Sequence, residues 1–250
     1  DGLRGLPFAK GMPSMVGYVF VTGLVLFPFG FFSASVKEQG FDSNLPLESM
    51  YLVSLAILVL SLFLLYFYRD PQRTIESGIV SPADGLVQRA EIKKGMVYFS
   101  IFMNVHNVHV NRSPFDGRVI SIKHKSGGYL PAFSKDSDKN ERLLTKIETS
   151  IGMMKVIQIA GVLVRRIVSY VKPNYEVAKG ERIGLIHFGS RVDLSFESAG
   201  IDICVKKGDK VLAGQKLANY TPLSSLSTSE KIFEVPKRMF SKLQASQSED

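Results

Sequence analysis

The sequence predicts a mainly β chain of the α+β class: a compact, sandwich- or barrel-like β domain behind a pair of apolar helices. Three observations carry that expectation. Residues 11–36 and 49–68 contain no charged side chain. Beyond residue 70 the apolar positions fall in short runs broken by Gly, Pro, Asp and Lys, as strands joined by turns do. The pattern SPxDGxV also occurs twice, as SPADGLV at residues 81–87 and SPFDGRV at residues 113–119.

Composition sets the outer limits. A chain of 250 residues can hold one substantial domain with appendages. The single cysteine, Cys204, excludes an internal disulfide framework and a thiolate metal cluster. A formal net charge of +8 points to an acidic partner surface, either nucleic acid or anionic lipid.

The first seventy residues choose lipid. Both uncharged runs reach the roughly 20 residues that a helix needs to cross a bilayer. The second, SMYLVSLAILVLSLFLLYFY, carries Tyr51, Tyr66 and Tyr68 near its ends as interfacial anchors. The first is interrupted by Pro28, Gly17, Gly23 and Gly30, so it either spans with a kink or lies partly in the interface. The linker KEQGFDSNLPLE holds one positive and three negative charges, while Arg4, Lys10, Arg69 and Arg73 flank the outer ends. That asymmetry places both ends on the cytoplasmic side of a cell membrane. Residues 1–70 are therefore expected to be a membrane-anchoring helical hairpin, and residues 71–250 a separate β domain.

Strands are expected at residues 85–92, 96–102, 118–124, 154–159, 182–188, 190–196 and 210–220. Residues 162–171 suit a strand or a short helix, residues 227–240 have some helical character, and the final SQSED reads as frayed. The two Asp-Gly turns leading into strands, with VKKGDKVLAGQKL at residues 205–217, are similar to the hairpins of lipoyl and biotinyl carrier domains. No lysine occupies a hairpin tip that would carry such a cofactor. The broken, polar stretch between His124 and Asn140 reads as an exposed loop, in which Tyr129, Leu130 and Phe133 suit either a headgroup layer or an ordinary surface.

The chemistry centres on GERIGLIHFGSRV at residues 180–192. Glycine before serine leaves the Gly189 carbonyl uncrowded and the backbone free to take strained angles. The Ser190 hydroxyl can attack that carbonyl, giving an ester by an N-to-O acyl shift. β-Elimination and hydrolysis then leave a pyruvoyl group where Ser190 stood, and residues 1–189 and 190–250 become two chains. Such a ketone forms a Schiff base with a substrate amine and draws electrons as pyridoxal phosphate does. A plain polar turn is the other reading of Gly-Ser.

The wider pattern GxRIGxIxFGSRVD resembles the processing site of the phosphatidylserine decarboxylases, in the shorter-chain branch of that pyruvoyl-enzyme family. The resemblance extends in order through YRDPQR, SPADG, HNVHVNRSPFDG, NER, QIAG, RRIV and FGSRVD. It implies a membrane-bound carboxy-lyase that converts phosphatidylserine to phosphatidylethanolamine and is made as a zymogen. It implies a compact catalytic β domain, a covalent pyruvoyl cofactor from Ser190 and no metal. Asp84, His109 and Ser190 would form the self-cleaving set, with Asp84 orienting the imidazole and His109 taking the serine proton. Asp116 holds the equivalent turn position in the second SPxDG, but the resemblance points to Asp84. His106 would serve the decarboxylation by protonating the carbanion.

His187, three residues before Ser190, reads as a strand residue, and His124 as a surface group meeting phosphate or water. If His106 and His109 both face Ser190, residues 105–110 cannot be a regular strand, because positions three apart point to opposite faces. The implied partners are a phospholipid bilayer and the two cleaved chains for one another, with a homodimer left open and no nucleic acid. Two other classes compete. A β-rich zinc peptidase needs three protein ligands, and the sequence has no H-x-H pair. A non-catalytic membrane adaptor with a lipoyl-like β domain needs no scission at Gly189-Ser190.

Overall fold

A computed structural model describes residues 8–38, 47–128, 140–161, 166–187 and 190–221 of the chain. The chain divides into two units, Asp1–Pro71 and Gln72–Asp250. Gly189, the expected 227–240 helix and the 129–139 stretch lie in whole or part outside the described residues.

In the first unit the apolar runs form two helices, α1 (Ser14–Glu38) and α2 (Leu47–Phe67). The helix α1 continues unbroken through Pro28, where the sequence suggested an interruption. The two helices run antiparallel in contact: Phe27 meets Tyr51 with ring centroids 5.8 Å apart, and Gly23 faces Leu58. A Cβ on Gly23 would stand 3.1 Å from the Leu58 backbone, so glycine there permits the close approach. The hydroxyls of Ser54 and Ser61 turn inward and donate to the helix's own carbonyls at Tyr51 and Ile57. Outward, the surface is apolar: Tyr18, Val21, Val25, Leu52, Val53 and Leu60 are all exposed. Among the described residues no helix is long and apolar enough to cross a membrane, the described side chains of α2 beginning only at Tyr51.

The second unit is mainly β. Its strands are β1 (Ile79–Val80), β2 (Gly85–Lys93), β3 (Met96–Met103), β4 (Val110–Arg112), β5 (Gly117–Lys125), β6 (Arg142–Thr149) and β7 (Gly152–Ile159). There follow β8 (Ile167–Ser169), β9 (Glu176–Val177), β10 (Arg182–Ile186), β11 (Ser190–Glu197), β12 (Ile201–Ile203), β13 (Lys210–Val211) and β14 (Lys216–Tyr220). The expected strand at 210–220 is two, divided by a turn, and the one at 182–188 stops at Ile186. Eight strands form one sheet in the order β13-β2-β3-β11-β7-β6-β5-β9, and two three-stranded sheets run β1-β14-β12 and β4-β10-β8. The large sheet is open instead of closing as a barrel, and its edge strands β13 and β9 are only two residues long. Alternate residues of β3 and β11 (Val97, Phe99, Ile101 and Val192, Leu194, Phe196) fill the core, as a half-buried strand requires.

The two SPxDG segments are structural equivalents. Ser81 Oγ donates to Ala83 O and Ser113 Oγ donates to Phe115 O, at 2.6 and 2.7 Å. Asp84 Oδ1 accepts from Ala213 N and Asp116 Oδ1 from Lys179 N, each at 2.9 Å. Each segment leads into a long strand, β2 or β5, edged by the short strand β13 or β9. The segments also clasp each other: Val80 N donates to Pro114 O, and Arg112 N to Pro82 O.

The glycine of each segment faces a neighbouring carbonyl. A Cβ at Gly85 would collide with Phe102 O, and one at Gly117 with Glu148 O. We expect Gly85→Ala and Gly117→Ala each to cost about 1–3 kcal/mol of stability, because backbone must move to admit the methyl. Urea unfolding of the purified variants measures this, and an unchanged midpoint would show that the strand pairs relax freely.

Candidate functional site

The site is assembled where the chain passes between sheets. After β3 ends at Met103, residues 104–109 carry the chain from the large sheet to β4. After β7 ends at Ile159 the chain crosses to β8, and after β10 it crosses back to β11 through His187 and residues 188–189. Registers make these crossings neighbours: Ser190 pairs with Met103, Arg191 with Ile159, Leu185 with Val110 and Ile186 with Ile167. The motifs HNVH, QIAG with RRIV, and FGS, distant in sequence, thus flank one end of adjacent strands. Asp84 precedes β2 at that same end, beside β3, where Leu86 pairs with Phe102.

Ser190 is the first residue of β11 and wholly buried, and its Oγ has no hydrogen-bond partner among the described residues. Ser81, Ser113 and Ser169, by contrast, each donate to a carbonyl two residues on. A buried hydroxyl that lacks such a bond is costly to keep.

His109 is also wholly buried, and its Nδ1 lies 2.9 Å from Asn107 O. A carbonyl only accepts, so Nδ1 carries a proton. Residues 105–109 are no strand. Asn107 N donates to Asn104 O and Asn107 Oδ1 accepts from Asn104 N, closing a turn that exposes His106 while His109 points inward. The backbone of residues 104–109 is therefore irregular, the condition set above for both histidines to face Ser190.

Asp84 and Asp116 occupy equivalent turns in unequal settings. Asp116 is exposed, whereas Asp84 is buried and its Oδ2 also accepts from Arg73 of the YRDPQR motif. The hydrogen bonds of Asp84 go to Arg73 and Ala213, and the bond that orients His109 comes from Asn107. His187 lies one residue past β10 and is buried, and His124 pairs at the surface with Glu141, 2.9 Å away.

Sequence reasoning overlooked two buried amides at the site. Gln158 Nε2 donates to Asn111 Oδ1 at 2.8 Å, and Asn111 Nδ2 approaches Met103 Sδ at 3.6 Å. Gln158 left a signal, an amide inside the apolar run VIQIA, whereas Asn111 lies between His109 and Arg112 and left none.

The chain matches the phosphatidylserine decarboxylase family over residues 60–219. It is 51% identical over 161 residues to a Methanococcoides burtonii protein named "Putative archaetidylserine decarboxylase proenzyme", covering 63% of this chain and 75% of that one. It is 48% identical over 153 residues to the phosphatidylserine decarboxylase proenzyme of Streptomyces avermitilis, covering 60% and 71%. With the corresponding proenzyme of Thermobifida fusca it shares 46% over 165 residues, covering 65% and 76%.

Burial, and next to it the charge of Arg166, hold the His187 imidazole below the usual histidine value. The unfolded chain, with an ordinary histidine near 6.5, therefore binds the proton more readily. Stability should be fully present above about pH 6.5 and fall as pH drops below it towards the folded value. Urea titrations of the parent and of His187→Gln across that window test this, and the variant should lose part of the slope.

Proposed function

The chain belongs to the phosphatidylserine decarboxylase family, and on that premise we propose that it decarboxylates phosphatidylserine to phosphatidylethanolamine using a pyruvoyl group made from Ser190. The observation that carries this is the Ser190 hydroxyl, buried without a hydrogen-bond partner among the described residues where three crossings meet. The word proenzyme in the relatives' names agrees with maturation by cleavage.

In this reading Ser190 Oγ attacks the Gly189 carbonyl carbon. His109, held by Asn107 O, takes the hydroxyl proton on Nε2. Asp84, to which the family resemblance gives the orienting role, has its carboxylate fixed by Arg73 and Ala213 N. The resulting ketone supplies the electron sink for loss of the substrate carboxyl group. In the same reading His106, which is exposed on the turn, returns a proton to the substrate carbon after CO2 leaves. Residues 1–189 and 190–250 stay associated after cleavage because β11 is paired on both sides, with β3 and β7, and β14 with β1.

The paired SPxDG halves support a lipoyl-like reading of the β unit. The outward apolar surface of α1 and α2, with their serines turned to their own carbonyls, supports a membrane-anchoring hairpin. Arg69 lies over the Tyr66 ring at 3.9 Å, an arrangement suited to a headgroup boundary. The basic outer flanks and acidic linker favour a cytoplasmic catalytic unit.

The purified protein should run as two chains, the smaller beginning at residue 190 and refractory to Edman degradation for want of a free amine. A small chain with a free serine amine would mean plain hydrolysis and would overturn the cofactor. Ser190→Ala and His109→Ala should stay single and inactive, and Asp84→Ala should cleave more slowly. His106→Ala should cleave yet release little CO2 from phosphatidylserine.

Membrane anchoring has its own test. Removing residues 1–70 should lower turnover on bilayer vesicles more than on short-chain soluble substrate. Equal losses on both would count against a positioning role for the helices.

A further inference from the structure

Gln158 is wholly buried on the core-facing side of β7, among Val156, Met154 and Val192. Its Cα partner on β11 is Val192, so Ser190 is its diagonal neighbour on the same face. Diagonal neighbours lie roughly 7–8 Å apart, within reach of a long side chain. Asn111 completes the placement, since it touches both Gln158 and Met103, the direct cross-strand partner of Ser190.

The amide has a fixed sense. Its Nε2 is committed to Asn111 Oδ1, while Oε1 is buried with no hydrogen-bond partner among the described residues. Gly184 keeps the space open: a Cβ there would stand 2.8 Å from Gln158 Nε2 and 3.2 Å from Oε1. A buried acceptor lacking a donor and a buried serine hydroxyl lacking a partner thus share one corner of the core.

We propose that Gln158 is a positioning residue for maturation, its Oε1 accepting the amine that Ser190 acquires, with Asn111 holding the amide in that sense. The inference rests on self-cleavage at Gly189-Ser190. In the acyl shift the Ser190 Oγ–carbonyl bond forms as the carbonyl bond to Ser190 N breaks, and the hydroxyl proton ends on that nitrogen. A peptide nitrogen with one N–H becomes an amine with two. At a buried position the new N–H needs a protein acceptor. Gln158 Oε1 is left over in the uncleaved chain and used in the ester. An interaction made only after the shift favours the ester selectively, whereas one present throughout would not. A glutamine serving packing alone has no need of a spare acceptor at this place.

The test follows self-cleavage of the full-length chain by gel and mass spectrometry, with hydroxylamine added at intervals to trap the ester as a hydroxamate on residue 189. Gln158→Met removes the acceptor at similar length, and should slow cleavage about tenfold or more and reduce hydroxamate in proportion. Because Gln158→Met also leaves the buried Asn111 Oδ1 without its donor, its unfolding midpoint should fall below that of uncleaved Ser190→Ala, and cleavage is followed under conditions where the variant is folded. Gln158→Glu restores an oxygen, with Asn111 turned to donate, and should recover most of the rate. Should Gln158→Met not fold, Gln158→Asn draws the oxygen back by one methylene and should show the same slowing and the same loss of hydroxamate. Cleavage of Gln158→Met, or of Gln158→Asn in its place, at the parent rate overturns the inference, as does slowing with undiminished hydroxamate. A parent that never cleaves, or a Ser190→Ala that does, overturns the self-cleavage reading and this inference with it.

Discussion

The reciprocal clasp between the two SPxDG segments is the constraint from which the rest follows. Val80 N reaches Pro114 O and Arg112 N reaches Pro82 O, so each segment supplies the backbone partner of the other. Further bonds repeat the relation: Ser81 N to Gln215 O and Ser113 N to Glu181 O, Gly214 N to Ser81 O and Gly180 N to Ser113 O. Buried backbone groups must be paired. Satisfying them this way obliges the chain to move between the large sheet and the small ones at fixed points. The site lies among those crossings, where backbone leaves the regular ladder and side chains can converge.

Function enters through the departure from that internal symmetry. Asp116 keeps the structural half of the arrangement, a carboxylate capping the amide of Lys179 at the surface. Asp84 caps Ala213 in the same way, but it is buried and has gained Arg73. A carboxylate taken out of water needs such a partner, and a buried charge exerts more influence on its surroundings than an exposed one. The two halves of the duplication thus share their backbone pairing and differ in the burial and charge partner of their aspartates.

The same end of the core holds Ser190, His109, His187, Asn111 and Gln158, all buried. Polar groups so placed weaken a core unless each finds a partner. Here the amides pair and His109 bonds Asn107 O, and among the described residues neither Ser190 Oγ nor Gln158 Oε1 has a hydrogen-bond partner. Apolar side chains at these positions would make a simpler core. Their retention is understandable if the leftover groups act on one another once the chain begins to cut itself.

Much of this was legible in the sequence, because it depends on local pattern. Uncharged runs gave the two helices, alternation gave β2, β3, β5, β7 and β11 close to their observed bounds, and the repeated SPxDG announced a duplicated turn. The ordered motifs were enough to place the chain in its family. The backbone at residues 104–109 is irregular, as two histidines both facing Ser190 would require, but it leaves His106 exposed and His109 buried. Short strands such as β1, β4, β9 and β12 left no mark in the sequence, because two or three residues hold no period. Which aspartate is buried and which amides stand beside Ser190 are matters of register between strands far apart in sequence. Those were decided only in the tertiary structure, where hydrogen bonds and packing across the sheets bring distant residues together.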